Sequence, residues 1–207
     1  MTAVPLIFTS GWASGINAYA VVVLMGLIGR FGHVAAVPPT LERTDVLAVA
    51  GALFVAQFVV DKIAYLDSIS DAIHTVIRPL AGAAIGALIA GHAHTLPQAA
   101  AAAIAGSTAL TTHLIKSGVR MGVNASPEPV SNVVVSFVED LTVAGLTVLA
   151  LLHPLLAAIL AGTLLIAGLI LVAVLASRIR RSWRRRRERR MKRRLADGAA
   201  TPASPVT

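Results

Sequence analysis

The sequence predicts an all-α bundle of about six transmembrane helices, and three observations support this fold class. First, 56% of the 207 residues are hydrophobic, only 14% are charged, and the mean hydropathy is +0.77, well above the balance of a soluble domain. Second, apolar stretches of about 20 residues, the length that a bilayer crossing requires, recur along the chain. Third, the last stretch runs directly into a block of Arg and Lys, a pattern typical of a final helix meeting the cytoplasmic leaflet.

The apolar stretches define six segments, at about residues 5–29, 45–66, 69–91, 97–119, 130–152 and 154–177. An even number of crossings puts both chain ends on the same side, so the basic tail predicts a cytoplasmic amino terminus as well. Segments five and six meet at His153-Pro154 with almost no loop, so either they form a tight hairpin or one of them does not cross. Five crossings are therefore the main alternative, and they would place the amino terminus outside.

Local signals predict where several helices begin, break or bend. The patch from Ser10 to Asn17 is rich in Gly, Ser and Asn at about mid-depth, and predicts a broken or re-entrant first segment. Ser68 to Asp71 fits a capping box, and Ser126 to Pro129 fits a helix cap followed by a proline at the first helical position. Pro79 should kink segment three, because proline removes a hydrogen bond from the helical ladder.

A short internal match suggests an inverted repeat of three segments in each half, an architecture found in many transporters. The matching sequences are Gly15-Ile16-Asn17-Ala18 and Gly122-Val123-Asn124-Ala125.

Charge is divided unevenly along the chain. Twelve of the 18 Lys and Arg residues lie between Arg178 and Arg194, whereas residues 1–177 contain six basic and eight acidic residues. The body therefore has no basic face for nucleic acid. We predict a transmembrane helical domain over residues 1–177 and a basic, partly disordered cytoplasmic tail over 178–207, in a multi-pass protein of the cell inner membrane. The tail residues expected to contact anionic lipid headgroups are Arg180, Arg181, Arg184 and Arg185.

Ionisable residues inside the segments need a partner or a function, because an unpaired charge in a bilayer costs several kcal/mol. Asp61 and Lys62 end an apolar run, and they are either an interfacial pair with Lys62 reaching the membrane surface or part of a cation or proton site. Glu139 and Asp140 lie about ten residues inside segment five. At least one of these two acids should be protonated, paired with a base or bound to a cation, and a structural buried ion pair is the alternative to a site.

Two polar stripes with the same spacing are predicted to face each other across a water-filled path. The spacing i, i+3 and i+7 puts the members of each stripe on one helix face. The alternatives are that Asp71 only closes its capping box and that Arg120 only marks a helix end. The stripes are Asp71, His74 and Arg78 in segment three, and His113, Lys116 and Arg120 in segment four.

Motifs of soluble enzymes and metal proteins are poorly represented. The chain contains no cysteine, and it has no glycine-rich phosphate loop, nucleophile elbow or zinc-protease helix motif. His92 and His94 have the spacing of metal ligands but lack a third ligand nearby. We therefore predict no catalytic residues, no metal and no cofactor.

Several stretches resemble an uncharacterised bacterial membrane family, domain of unknown function 4126. The resemblance spans roughly residues 10–150, and Ala64 departs from it where many relatives have a proline after Asp-Lys-Ile. It implies a polytopic membrane protein and no particular activity. The stretches that carry it are Ser14-Gly15-Ile16-Asn17-Ala18-Tyr19, Asp61-Lys62-Ile63 with Asp67, Ile77-Arg78-Pro79-Leu80-Ala81-Gly82, and residues 124–132 with Glu139-Asp140.

These observations favour a small transporter or channel-like protein that forms a homo-oligomer and binds an unknown small solute, either a proton-coupled anion, a cation or a zwitterion. The first alternative is a membrane scaffold whose tail binds anionic lipid or a partner protein. The second, less favoured, is an intramembrane lipid-modifying enzyme that uses Glu139, Asp140 or His113. The candidate substrate-binding residues are Asn17, Asp61, Arg78, Lys116, Asn124, Glu139 and Asp140.

Overall fold

The computed structural model describes residues 3–94, 96–124 and 129–199, without the side chains of residues 64, 65, 67, 68, 122–124, 129–132, 179 and 182–199. This part of the chain contains six α-helices and one short 3-10 helix at Pro39–Glu42, and it has no strand. The all-α prediction is therefore confirmed. The helices are α1 (Ala3–Gly32), α2 (Thr44–Val60), α3 (Ala64–Ala93), α4 (Gln98–Asn124), α5 (Pro129–Leu152) and α6 (Pro154–Ala199).

Four stretches of helix within the described residues are long and apolar enough to cross a membrane. Helix α2 is a shorter apolar helix of 17 residues, at the lower limit of the range for a crossing. Whether the chain crosses five or six times stays a prediction. The four stretches are Ala3–Gly32, Ile69–Ala93, Val133–Leu152 and Pro154–Arg178.

Small residues bring α1, α3 and α4 close together. A Cβ built on Gly11 of α1 would lie 2.6 Å from the carbonyl oxygen of Ala105 in α4, and a Cβ on Gly86 of α3 would lie 2.6 Å from the Cβ of the same alanine. Small residues four positions apart let membrane helices approach this closely. The sequence repeats that spacing in each helix, at Gly11 and Gly15, at Gly82 and Gly86, and at Ala105 and Ala109.

Helix α1 is the most buried helix and is broken at Asn17, whose backbone angles (φ −152°, ψ 92°) are extended. Residues on both sides of the break are buried against α3, α4 and α5. The predicted break in segment one is therefore present, and it lies at the end of the Ser10 to Asn17 patch. Helical structure continues on either side of Asn17, from Ala3 to Gly32.

Three other local expectations concern the capping box, Pro79 and the cap at Ser126. The capping box was wrong, because α3 begins at Ala64 and residues 68–71 lie inside the helix. Asp71 instead faces Arg78 and Ser117. Pro79 also lies inside α3, which continues as a helix to Ala93. The predicted cap at Ser126 falls outside the described residues.

The described chain divides into two compact units, with the boundary between Leu169 and Ile170. The first unit contains the apolar core and the polar residues inside the bundle. Within it, α5 packs against α1, and the described residues of α5 and α6 show no close hairpin packing. The second unit contains the end of α6, which is helical up to Ala199, and the side chains of Arg180 and Arg181 are exposed there.

Candidate functional site

Eight charged side chains, four acidic and four basic, meet inside the helical bundle. Five of them are less than 10% exposed, and Arg78 and Arg120 are almost completely buried. Each acid lies within 4 Å of a base. We call this set the charge cluster; it consists of Asp61, Lys62, Asp71, Arg78, Lys116, Arg120, Glu139 and Asp140.

The centre of the charge cluster joins α4 to the end of α2 and to α5. Lys116 Nζ lies 3.0 Å from Asp61 Oδ2 and 3.3 Å from Glu139 Oε2. One turn further along α4, Arg120 donates from Nη2 to Glu139 Oε2 (2.6 Å) and from Nη1 to the backbone carbonyl of Asp61 (3.0 Å). Gln57 donates to Asp61 Oδ2 as well, at 3.4 Å. Through Lys116 and Arg120, α4 thus contacts Asp61 at the end of α2 and Glu139 of α5.

The break in α1 exposes two backbone carbonyl groups to cations of the charge cluster. In an unbroken helix the Ile16 carbonyl would accept from the Ala20 N–H, but that N–H donates to Asn17 Oδ1 at 3.0 Å. Lys116 Nζ takes the freed carbonyl of Ile16 at 3.3 Å, and Arg78 Nη1 takes the carbonyl of Gly15 at 3.2 Å. The carboxyl end of a helix carries partial negative charge, so both contacts are electrostatically favourable.

Asn17 has two contacts that link the break to α5. Its side-chain oxygen accepts from the third residue after it, which makes Asn17 the N-cap of the second half of α1. Its Nδ2 donates to Asp140 Oδ1 at 3.5 Å, and Lys62 Nζ lies 3.4 Å from Asp140 Oδ2. Lys62 Nζ also lies 3.3 Å from the ring centroid of Phe58. Lys62 therefore contacts an acid and an aromatic ring, and whether this pair lies at the membrane surface stays a prediction.

The two predicted polar stripes meet directly between α3 and α4. Arg78 Nη1 lies 2.7 Å from His113 Nδ1, and Ser117 donates to Asp71 Oδ2 at 3.2 Å. Thr75 bonds His113 Nε2 at 3.0 Å. The idea that Arg120 only marks a helix end is wrong, because its side chain is buried and bonds Glu139.

The structure brings six of the seven predicted site residues into one region. Asp61, Arg78, Lys116, Glu139 and Asp140 belong to the charge cluster, and Asn17 contacts it. Asn124 is the last residue of α4, and its side chain lies outside the described part. The seven-residue prediction left out Lys62, Asp71 and Arg120. The available signal for Arg120 was its four-residue spacing from Lys116, which puts both cations on one face of α4.

A cavity of about 280 Å³ lies beside the charge cluster, between α1, α4, α5 and α6. Most of its lining consists of Ile, Leu and Val side chains. Its polar lining residues are Trp12, Thr112, Lys116 and Glu139. Within the described part of the chain, the Nε1 of Trp12 and the Oγ1 of Thr112 are buried without a hydrogen-bond partner.

Other predicted residues lie away from the cluster. His92 Nε2 lies 2.8 Å from the carbonyl oxygen of Ala35, and His94 ends α3 in a left-handed conformation. Among the described side chains, no group of three His, Asp or Glu residues is placed to hold a metal ion. Arg180 and Arg181 are exposed, whereas Arg184 and Arg185 lie among the side chains that are not described.

Four apolar helices of membrane-spanning length, together with a buried cluster of paired charges, are the features of a helical integral membrane protein. A comparison of the sequence with protein families gives the particular family. The profile of DUF4126, a domain of unknown function, matches residues 4–174, and the chain belongs to this family. The predicted resemblance is therefore confirmed. Comparisons with curated proteins and with solved structures gave no match.

Proposed function

We propose that this protein is a small transporter or channel-like protein whose charge cluster forms a polar intramembrane site for a charged solute. The observation that carries the proposal is the break of α1 at Asn17 beside that cluster. Broken helices in transporters place free backbone groups and helix ends at the substrate site near the middle of the bilayer. Here the carbonyl groups of Gly15 and Ile16 accept hydrogen bonds from Arg78 and Lys116, so the backbone groups at the break lie against the charge cluster, which supports the proposal.

The bonding of Lys116 supports a site that can rearrange. Its Nζ is shared among the Asp61 carboxylate, the Glu139 carboxylate and the Ile16 carbonyl, at 3.0 to 3.3 Å. Glu139 is held more closely by Arg120, at 2.6 Å, and so keeps a cation if Lys116 turns away. A charged solute can therefore exchange with one member of the network without leaving Glu139 buried and alone, which would cost several kcal/mol.

A scaffold without transport is the second candidate, and the charge balance of the cluster favours it. Lys62 pairs with Asp140, Lys116 with Asp61 and Glu139, and Arg120 with Glu139, and these pairs join the end of α2, α4 and α5. Arg78 and Asp71 pair within α3. Such ion pairs can stabilise the fold without any part in transport. The exposed Arg180 and Arg181 would then contact anionic lipid headgroups, as the sequence predicts.

A charge-neutral double variant separates the two candidates. Lys116→Met alone leaves Asp61 buried with one cation fewer, and should lower the folded yield, because breaking a buried pair costs about 3–5 kcal/mol. Lys116→Met combined with Asp61→Asn removes both charges and should restore the yield. Yield is measured by size-exclusion chromatography of the detergent-purified protein. Flux is measured as currents from proteoliposomes on a solid support after rapid addition of benzenesulfonate, choline or alanine.

Transport predicts that one of the three solute classes gives a current with the natural protein, and that the double variant folds normally without giving it. A double variant that folds and retains the natural current would place the charge cluster outside the transport path. Well-folded natural protein that gives no current and takes up none of the three solutes in radiolabelled form would contradict transport and favour the scaffold. The matched control is Arg43→Met with Asp45→Asn, which removes an exposed ion pair at the start of α2, the end opposite to Asp61.

A further inference from the structure

We propose that α1 is a re-entrant hairpin, which enters the membrane and leaves it on the same face, so that only α2 to α6 cross. The length and composition of α1 are sufficient for a crossing. The contacts of its two halves, however, place a chain reversal at Asn17. The inference goes beyond the proposed function, because a transporter and a scaffold can each contain such a hairpin.

The two halves of α1 contact each other. Ser10 Oγ lies 3.8 Å from Met25 Sδ, although 15 positions separate the two residues. At 1.5 Å per residue, a straight helix would place them about 22 Å apart along its axis. Asn17 lies almost midway between them in the sequence. The extended backbone of Asn17 is therefore the tip of a hairpin rather than a bend in a crossing helix.

The first half of α1 begins near the carboxyl end of α3 and runs towards the charge cluster. A Cβ on Gly11 would lie 2.6 Å from the carbonyl oxygen of Ala105, and a Cβ on Gly86 would lie 2.6 Å from the Cβ of the same alanine. Four residues after Gly11, the carbonyl group of Gly15 accepts a hydrogen bond from Arg78. A step forward in α1 therefore corresponds to a step backward in α3, and the two helices are antiparallel here.

The second half of α1 returns to the end of α3 where the first half begins. Its last residue is Gly32, and three residues later the carbonyl oxygen of Ala35 lies 2.8 Å from His92 Nε2. His92 follows Arg78 by 14 positions, which corresponds to about 21 Å along α3. A straight α1 would have carried Ala35 in the opposite direction, away from His92. Both ends of α1 therefore lie at the same end of the bundle.

The tip of the hairpin is buried in protein. Ser14, Asn17 and Ala18 are at most 2% exposed. The carbonyl groups freed at the tip accept hydrogen bonds from Arg78 and Lys116. Non-helical backbone at membrane depth is tolerated only where protein buries it or where it lines a water-filled cavity. The tip meets this condition, so a chain reversal inside the membrane is physically acceptable.

A hairpin changes which chain ends share a membrane face. The amino terminus and the loop between α1 and α2 then lie on one face, and the five remaining crossings put the tail on the other. A cytoplasmic tail therefore places the amino terminus outside. Six crossings would place the amino terminus and the tail on the same face. For a solute site at the charge cluster, the hairpin also means that the freed carbonyl groups reach that site from the amino-terminal face.

Cysteine labelling of the full chain, which contains no cysteine of its own, tests this arrangement. Thr2→Cys and Ala36→Cys place single thiols before and after α1. We expect a membrane-impermeant maleimide to label both in intact spheroplasts, and to label Thr207→Cys only after permeabilisation. Labelling of all three after permeabilisation shows that each thiol is reachable.

Different labelling of positions 2 and 36 would overturn the hairpin, whatever the orientation of the tail. Six crossings would protect position 2 and label position 36. Five crossings that result because segment five or six does not cross would label position 2 and protect position 36. Equal labelling of the two positions agrees only with a chain that enters and leaves on one face.

A distance measurement tests the chain reversal in the detergent-purified protein. Val4 and Phe31 are exposed residues near the two ends of α1, and spin labels at Val4→Cys and Phe31→Cys would be about 40 Å apart on a straight helix. The hairpin predicts a much shorter distance by pulsed electron paramagnetic resonance. The matched control is Ile69→Cys with Ala93→Cys, which should give about 36 Å because α3 continues as a helix between them. A distance near 40 Å between positions 4 and 31 would overturn the proposal.

Discussion

Lys116 donates a hydrogen bond of 3.3 Å to the backbone carbonyl of Ile16, one hundred positions away in the sequence. That carbonyl is available because Asn17 interrupts α1 and takes the Ala20 N–H with its own side chain. The same ammonium group pairs with Asp61 at 3.0 Å. A break in one helix and a charge in another are thus two parts of one arrangement, and each would be unfavourable without the other.

Removal of the Asn17 side chain should destabilise the second half of α1. Asn17→Ala eliminates the N-cap and the contact with Asp140, and we expect a loss of about 1 kcal/mol, the usual effect of losing a cap. Asn17→Ser retains a capping oxygen and should stay close to the natural stability. Thermal unfolding of both variants in the same detergent measures the difference. Equal unfolding temperatures for the two variants would mean that Asn17 does not act as a cap.

Glu139 and Asp140 are neighbours in the sequence but differ in their partners. Glu139 contacts two cations, at 2.6 and 3.3 Å, whereas the carboxylate of Asp140 lies 3.4 Å from Lys62 and 3.5 Å from the amide nitrogen of Asn17. Glu139→Gln should therefore lower the unfolding temperature more than Asp140→Asn. The two variants are matched, since each replaces a carboxylate by its amide. A larger effect at Asp140 would contradict the ion-pair geometry of the cluster.

Close helix packing beside the break should make Gly15 intolerant of a side chain. A Cβ at this position would meet the carbonyl oxygen of Ala109 and lie 2.6 Å from the Cβ of Thr112, so Gly15→Ala should cost about 1–3 kcal/mol through overpacking. Gly145→Ala is the control, because among the described residues no atom beyond its own stretch of helix backbone lies within 4 Å of its Cβ position. This variant should keep or slightly raise the stability, since alanine favours helices more than glycine does. Denaturation in mixed micelles compares the two, and similar losses would disagree with the packing.

Removal of the basic tail should weaken attachment to anionic lipid and leave any solute current intact. Deletion of residues 178–207 removes twelve Lys and Arg residues, each contributing about 1 kcal/mol near an acidic leaflet. Deletion of 195–207 alone keeps all twelve and is the control. Nanodiscs containing each protein are sedimented with phosphatidylserine or phosphatidylcholine vesicles. Sedimentation of the 178–207 deletion as efficient as that of the control would show that the tail does not bind the lipid.

The absence of cysteine allows a direct test of the number of crossings. Ala36→Cys places a thiol at an exposed position between α1 and α2, and Thr207→Cys places one at the end of the tail. With six crossings and a cytoplasmic tail, a membrane-impermeant maleimide should label position 36 but not position 207 in intact spheroplasts. Protection of position 36 in the same cells would favour five crossings.

Sequence patterns within one segment were sufficient to predict the features that depend on that segment alone. The length and composition of the apolar runs predicted all six helices, with the end of α2 and the start of α3 differing by several residues. The Gly- and Asn-rich patch predicted the break in α1, because those residues weaken a helix wherever they occur. The capping box failed for the opposite reason. Asp71 lies inside α3, 3.5 Å from Arg78, and no local pattern could show which of the two arrangements has the lower free energy.

The sequence by itself determined a helical membrane protein with charges inside its segments, because hydrophobic length and the cost of buried charge depend on composition alone. Only the tertiary structure decided which charges are paired. Asp61 and Lys116 are separated by 55 positions in the sequence, and their 3.0 Å contact depends on α1, which packs against both α2 and α4. The pairing of charges is a property of that packing and cannot be read from either residue alone.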